Sequence, residues 1–404
     1  MPDLDPAERE ADPLLAYRDR FPILSTTNYL ISNSLGAVPR AAEAQLRGYY
    51  ETWATRGVRA WEETWWTLVA TLGDRVAPLI GAQAGDVVFQ PNVTLAHALL
   101  FSAFDFRAGR PRVVTDAMHF PSLLYLLDGL KAQGAEVVVV PSDDGVSVDT
   151  ERLLAAIDER TAFVNVSHVL FKSAYIHDVA AIAARAYEVG AYSIVDGYQS
   201  VGTIPVDVEA LGVDAYIGGC LKWLCGGPGA AFLWVRPELQ SRLTPRLTGW
   251  MAHERPFDFA PELRRRDDIW RFLHGTPAIP ALYAARAGLE VINEVGVAAI
   301  RAKSMRQTAR LLERAASRGF RCTTPVDPAR RGGTIALDVD HGYEVSRSLK
   351  ALDILCDYRP GAGVRLSPHF YNSDAEVDAA VDTIAEILAG NAWRAFSHQR
   401  STVT

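Results

Sequence analysis

Two short runs between Tyr192 and Val235 each end beside a single charge, and few folds accommodate that pattern. Ser193 to Val195 closes on Asp196, and Asp214 to Gly219 stops just before Lys222, with Gly226, Gly227 and Gly229 behind the lysine. Runs this short and apolar read as buried strands. Both charges then fall where strands leave an open α/β sheet, the edge at which such sheets bind ligands. Upstream, Asp86 to Gln90, Arg112 to Thr115, Val137 to Val140 and Ala162 to Val166 also read as strands, the last two as strands buried on both faces. The segment Asp178 to Val189 carries Val179, Ile182, Ala183 and Ala186 at helical spacing and closes at Gly190. This strand, helix, strand alternation predicts a mostly parallel sheet.

An amine and a carboxylate on one sheet edge meet the needs of pyridoxal phosphate. The amine forms an imine with the aldehyde, and the carboxylate keeps the pyridine nitrogen protonated so that the ring withdraws electrons. A structural ion pair is the alternative for an isolated Asp and Lys. The neighbouring residues add to the pattern: Asp196-x-x-Gln199 followed by Gly202, then Lys222 and its glycine turn, resembles the class V aminotransferase group of fold type I pyridoxal phosphate enzymes, kynureninases above all. The resemblance implies a fold type I α/β architecture, a large domain with a mostly parallel seven-stranded sheet plus a small α+β domain. It also implies an obligate homodimer with shared active sites and an amino-acid substrate.

Other segments carry the same resemblance in order. Asn33-Ser34-Leu35-Gly36 matches a loop that lies over the substrate near its carboxylate, which makes Asn33 and Ser34 substrate-binding candidates. Asn92-Val93-Thr94 opens a helix, and a helix N-terminus with a hydroxyl in its first turn is an anion site; Val93 and Thr94 are expected to hold the cofactor phosphate. In His119-Phe120-Pro121-Ser122 the resemblance places Phe120 over the pyridine face, with Ser122 nearby, while His119 offers an alternative register. Ser167 follows another strand, and Gln199 would bond the cofactor's phenolic oxygen. Trp250 would reach the phosphate, and Thr276 would do so from the neighbouring subunit. Arg365 matches the small-domain arginine that takes the substrate carboxylate, whereas Arg359 enters a Pro-Gly turn and reads as a surface or gating residue.

Two positions depart from the kynureninase pattern. The residue before the lysine is Leu221 in place of Tyr, and the usual His of Asp-x-x-His is Gln199, as in cysteine desulfurases. Across these departures the resemblance still implies kynureninase-like hydrolytic cleavage at the side-chain β-carbon as the expected activity. A class V aminotransferase, a desulfurase-like β-lyase and a cofactor-binding regulator stand as alternatives. Cys356 lies inside the apolar run Ile354 to Tyr358, expected to be one strand, where a thiol serves as a small hydrophobe.

With 404 residues, 49% hydrophobic and 22% charged, the chain has material for a large core and a smaller second one. We expect an N-terminal segment over the active site (1–45), a large cofactor domain (46–288) and a small C-terminal domain (289–404). A net charge of -7 and no basic run argue against nucleic acid. The acidic leader MPDLDPAEREADP lacks the apolar core of a signal peptide, and no run of membrane-spanning length is present, so a cytoplasmic protein is expected. The four cysteines show neither zinc-ligand spacing nor a disulfide pattern. Residues 41–80 read as a helical stretch rich in Trp, and residues 391–404 as a polar, frayed tail.

Overall fold

The computed structural model describes residues 6–397, so the end of the polar tail lies outside the described residues. Its centre is a seven-stranded sheet built from β2 (Val87–Gln90), β3 (Arg112–Asp116), β4 (Glu136–Val140), β5 (Thr161–Ser167), β6 (Tyr192–Asp196), β7 (Ala215–Gly219) and β8 (Ala231–Val235). The spatial order is β2-β8-β7-β6-β5-β3-β4. Neighbours from β7 to β4 pair in parallel, and β8 runs antiparallel to both β7 and β2. The sheet is therefore mostly parallel, with Ser167, Asp196 and Gly219 at one edge.

Every residue of β5 is buried, as its continuous apolar run requires. Val137 to Val140 departs from that expectation: β4 is the outermost strand, and Val139 is 46% exposed. An edge strand has a single neighbour, so its apolar run alone does not show how much of it is covered.

Residues 41–80 are not one helix. Ala41–Arg56 stops at Gly57, whose φ of 54° lies in the left-handed region, and a π-helical turn at Trp61–Trp65 leads into Trp66–Thr71 and Gly73–Ile80. Gly73 lies directly on β2, since a Cβ there would come within 2.0 Å of the Val87 carbonyl oxygen. Trp65 is buried, whereas Trp53 is 58% exposed.

The second layer is a four-stranded antiparallel sheet of β9 (Arg321–Cys322), β10 (Ile335–Asp338), β12 (Asp357–Arg359) and β13 (Gly363–Leu366), in the order β12-β13-β10-β9. It has its own core, in which Leu311, Ile335, Val345, Val364, Val377 and Ile384 are fully buried. Apolar residues of the preceding helices, as far as Ile300, belong to the first core. The run Ile354 to Tyr358 divides at Cys356 because it changes partner. β11 (Ile354–Leu355) pairs in parallel with β1 (Asn28–Tyr29), and Asp357–Arg359 turns to β13. The helix Asp374–Ala389 starts at a capping box of Ser373 and Glu376.

The N-terminal segment is tied to this second core. Leu30 is part of it, and the buried Arg18 guanidinium donates to both carboxylate oxygens of Glu376, at 2.9 and 2.7 Å, and to the carbonyls of Tyr371 and Leu24. Among the described residues no helix is long and apolar enough to cross a membrane.

Candidate active site

The edge where β5, β6 and β7 end opens into a cavity of about 330 Å³. Lys222 reaches it because the chain turns tightly after β7. The Gly226 N–H donates to Cys220 O at 2.7 Å, and Gly226 has no room for a side chain between Cys220 and Ala285. The first-strand loop closes on the same turn: the Gly36 N–H donates to Leu221 O at 2.9 Å, and a Cβ on Gly36 would come within 2.0 Å of Lys222 O. Burial pulls the Lys222 pKa down to about 8, partly opposed by Asp196 and reinforced by Arg365. Lowered this far, the amine is a competent nucleophile near neutral pH.

Asp196 ends β6 and is buried, with Oδ1 accepting the Tyr198 N–H at 2.8 Å. Phe120 faces the cavity with its ring centroid 5.6 Å from the Lys222 Nζ and meets Phe171 edge to face at 5.1 Å. His119 instead turns inward and is buried, its Nδ1 accepting the Phe120 N–H at 2.8 Å and lying 3.2 Å from Ser167 Oγ. Of the two registers left open by sequence, Phe120 is the one that lines the cavity.

The helix Val93–Phe101 points its N-terminus into the cavity. Its cap is Asn92, whose side chain accepts the Leu95 N–H at 2.9 Å, so the Thr94 hydroxyl is not used as a cap. Gln199 donates to Asn33 O at 3.0 Å and accepts the Trp223 Nε1–H at 2.8 Å, which leaves one amide proton for a ligand. Asn33 is 1% exposed and lines the cavity, yet neither its Nδ2 nor its Oδ1 has a hydrogen-bond partner. Burying an amide this way is costly unless a ligand satisfies it.

Arg365 is nearly fully buried and already engaged. Its Nε and Nη2 donate to Asp357 at 2.8 and 2.5 Å, and its Nη1 donates to Phe171 O. Arg359, read from sequence as a surface or gating residue, lines the cavity as well and lies 3.2 Å from Asp357. It is the last residue of β12, the strand whose first residue, Asp357, lies opposite Arg365.

Asn33, Ser34, Val93, Thr94, Phe120, Ser122, Ser167, Asp196, Gln199, Lys222 and Arg365 thus share one cavity. Trp250 and Thr276 do not join them within one chain. Trp250 packs 5.1 Å from Trp66 and 5.7 Å from Phe257, and Thr276 is exposed. Sequence reasoning missed Tyr198, Phe171, Val169 and Leu123, apolar or aromatic wall residues for which no motif stands. Tyr198 alone had a positional cue, lying between Asp196 and Gln199.

Among the described residues no cysteine lines the cavity. Cys356 is fully buried in the second core, and burial pushes its thiol up to about 12, the reverse of what a nucleophile needs.

These features fit pyridoxal phosphate: an amine of lowered pKa, a buried carboxylate, and a helix N-terminus with an uncommitted hydroxyl all face one space. The sequence matches the Aminotransferase class-V family over residues 28–379. It is 34% identical over 410 residues to a kynureninase of Pseudomonas fluorescens, covering 97% of each chain. A Burkholderia pseudomallei kynureninase is 33% identical over 397 residues, covering 95% of this chain and 94% of that one. Among solved structures, a cysteine desulfurase from Thermococcus onnurineus NA1 superposes with a TM-score of 0.82 at 22% identity, covering 93% of this chain and 98% of that chain. A cystine C-S lyase does so with a TM-score of 0.82 at 18% identity, covering 91% and 99%. At these identities the solved structures speak to the fold, which is fold type I. The chain belongs to the class V aminotransferase family and is a pyridoxal phosphate-dependent, kynureninase-like enzyme.

Proposed function

We propose that the enzyme hydrolyses an amino acid at the side-chain β-carbon, releasing alanine and an aromatic acid from a kynurenine-type substrate. The observation that carries this reading is the composition of the cavity wall. Phe120, Phe171 and Tyr198 suit an aryl side chain, arginine and asparagine suit a carboxylate, and among the described residues no thiol is present to accept sulfur. Its likeness to kynureninases along nearly its whole length supports the same reading.

When bound, pyridoxal phosphate supplies an electron-withdrawing ring that weakens bonds at the substrate's α-carbon and beyond. Lys222 would hold the cofactor through its aldehyde carbon, and its amine is the group placed to move a proton at the substrate's α-carbon. Asp196 holds the proton on the ring nitrogen. Thr94 and the free N–H groups of the helix at Val93 would hold the phosphate, and Phe120, Ser122, Ser167 and Gln199 would contact the ring. Arg365 and Asn33 orient the carboxylate, with Ser34 beside them. In this reading residues 1–45 cover the site, 46–288 hold the cofactor and 289–404 supply the arginine.

A second copy of the chain completes the site. Leu247, Phe257, Phe259 and Leu263, all at least 40% exposed, lie along the chain segment that carries Trp250 and Thr276, and an apolar surface of this kind fits a partner subunit. Sedimentation should show a dimer.

Incubation with kynurenine, 3-hydroxykynurenine, cysteine and other amino acids, with and without 2-oxoglutarate, separates the possible reactions. Alanine plus anthranilate or its hydroxylated form is expected. Persulfide from cysteine, or a new amino acid that requires 2-oxoglutarate, with no aromatic acid formed, would replace this reading.

A further inference from the structure

Among the described residues five ionisable side chains line the cavity, Asp196, Tyr198, Lys222, Arg359 and Arg365, and no histidine, cysteine or glutamate does. Arginines keep their protons at any working pH, and Asp196 belongs to the ring nitrogen. Only Lys222 and Tyr198 remain to lend a proton and take one back. Cleavage at the β-carbon moves protons at two carbons, and the residue before the lysine, Leu221, has none to give. One amine does not serve both positions at once.

The Tyr198 ring is placed for this work. Its centroid lies 4.1 Å from the Lys222 Nζ, closer than the 5.6 Å that separates the amine from the Phe120 ring. The ring is berthed on Gly219 at the end of β7. A Cβ on Gly219 would lie 2.7, 3.1 and 3.3 Å from the Cε2, Cζ and Oη of Tyr198. Three other buried phenols are committed: Tyr216 to Ser200 and His168, Tyr29 to Leu35 O, Tyr371 to Ser32. The Tyr198 hydroxyl makes no hydrogen bond among the described residues, and Tyr198 lines the cavity. Burial raises its pKa, so it is present as the proton-bearing phenol.

We propose that Tyr198 is the second proton carrier of the site, the acid that protonates the substrate's side-chain carbon as its bond to the acyl group breaks. This rests on the hydrolytic reading above. Water's oxygen joins the acyl carbon with one of its hydrogens. The electrons of the broken carbon–carbon bond stay with the β-carbon, and the phenol O–H breaks as the new C–H bond forms. Water's other proton restores the phenol. One water is consumed and nothing is oxidised or reduced.

The test compares Tyr198→Phe with the wild-type holoenzyme. Cleavage of kynurenine should fall about a hundredfold or more, the usual worth of a general acid, while cofactor affinity stays within about twofold. In deuterated water, exchange of the α-proton of alanine should persist in the variant and exchange of its methyl protons should be lost. Gly219→Ala, which displaces the phenol, should reproduce the loss and add nothing to Tyr198→Phe. An independent readout is the fluorine spectrum of cofactor-free protein containing fluorotyrosine. The resonance missing from Tyr198→Phe should shift on adding pyridoxal phosphate and again on adding 2-methylalanine. If wild type cleaves no aryl-ketone amino acid, the hydrolytic reading fails, and methyl exchange still judges Tyr198. Cleavage and methyl exchange within threefold of wild type in Tyr198→Phe, or an unmoved resonance, would overturn the assignment.

Discussion

Arg365→Ala tests whether this guanidinium grips the substrate carboxylate. A guanidinium has five N–H donors. Three are spent inside the protein, two on Asp357 and one on Phe171 O, so two remain for a ligand. Charge-assisted hydrogen bonds contribute about 1.5 to 3 kcal/mol each. Losing two therefore removes about 3 to 6 kcal/mol, and at about 1.4 kcal/mol per decade kcat/KM should fall roughly 10² to 10⁴-fold. Steady-state kinetics with kynurenine reads that loss, and an absorbance titration reads cofactor affinity, which should not change because the proposed phosphate site is at the helix Val93–Phe101. Asp357→Asn should cost less, since it slackens the anchor and keeps both free donors. The neighbouring Arg359 supplies the refutation. A large loss in Arg359→Ala with Arg365→Ala within threefold of wild type would assign the carboxylate to the turn between β12 and β13.

With Lys222 held near 8, capture of pyridoxal phosphate by the cofactor-free protein should accelerate about tenfold per pH unit up to pH 8 and level off above it. The sign for stability follows from the same group. Between pH 8 and 10.5 the unfolded chain keeps a proton that the folded one has lost, so the cofactor-free protein should gain stability as pH rises, and Lys222→Met should flatten that slope. Cys356→Ala should cleave kynurenine within about twofold of the wild-type rate, and abolished turnover in a folded variant would restore the thiol as a candidate. Arg18→Ala leaves the buried Glu376 without its cation and should cost about 3 to 5 kcal/mol in denaturant unfolding; a loss under about 1 kcal/mol would show that the N-terminal segment is held by other contacts.

The sheet edge was legible because strand ends are local. A run such as Ser193 to Val195 shows both its burial and its exit, and Asp196 and Lys222 stand at the exits. Pairing partners are not local, which is why Ile354 to Tyr358 read as one strand and folds as two. Neither is the depth of a side chain: nothing in Arg359-Pro360-Gly361 shows that Arg359 lines the cavity. Phe171 and Val169 are placed there by the path of the chain after β5, and hydrophobicity alone does not distinguish a cavity wall from a core. Trp250 and Thr276 matched a family pattern, yet a pattern does not say which chain's cavity a side chain reaches.

Between Asn28 and Gly36 the chain passes from one core to the other. Asn28 and Tyr29 are strand partners of β11, Ile31 bridges Ser367 two residues beyond Arg365, and Gly36 is pressed on the backbone of Lys222. Asn33 and Arg365 are therefore two fingers of one hand, and any shift of the small sheet carries both together. The Lys222 end, however, permits no slack, because Gly36 has no space in which to move. In the proposed function, the reach from the carboxylate-binding pair to the amine is gauged by the three peptide units from Asn33 to Gly36, so a substrate's backbone would have to match that span whatever its side chain.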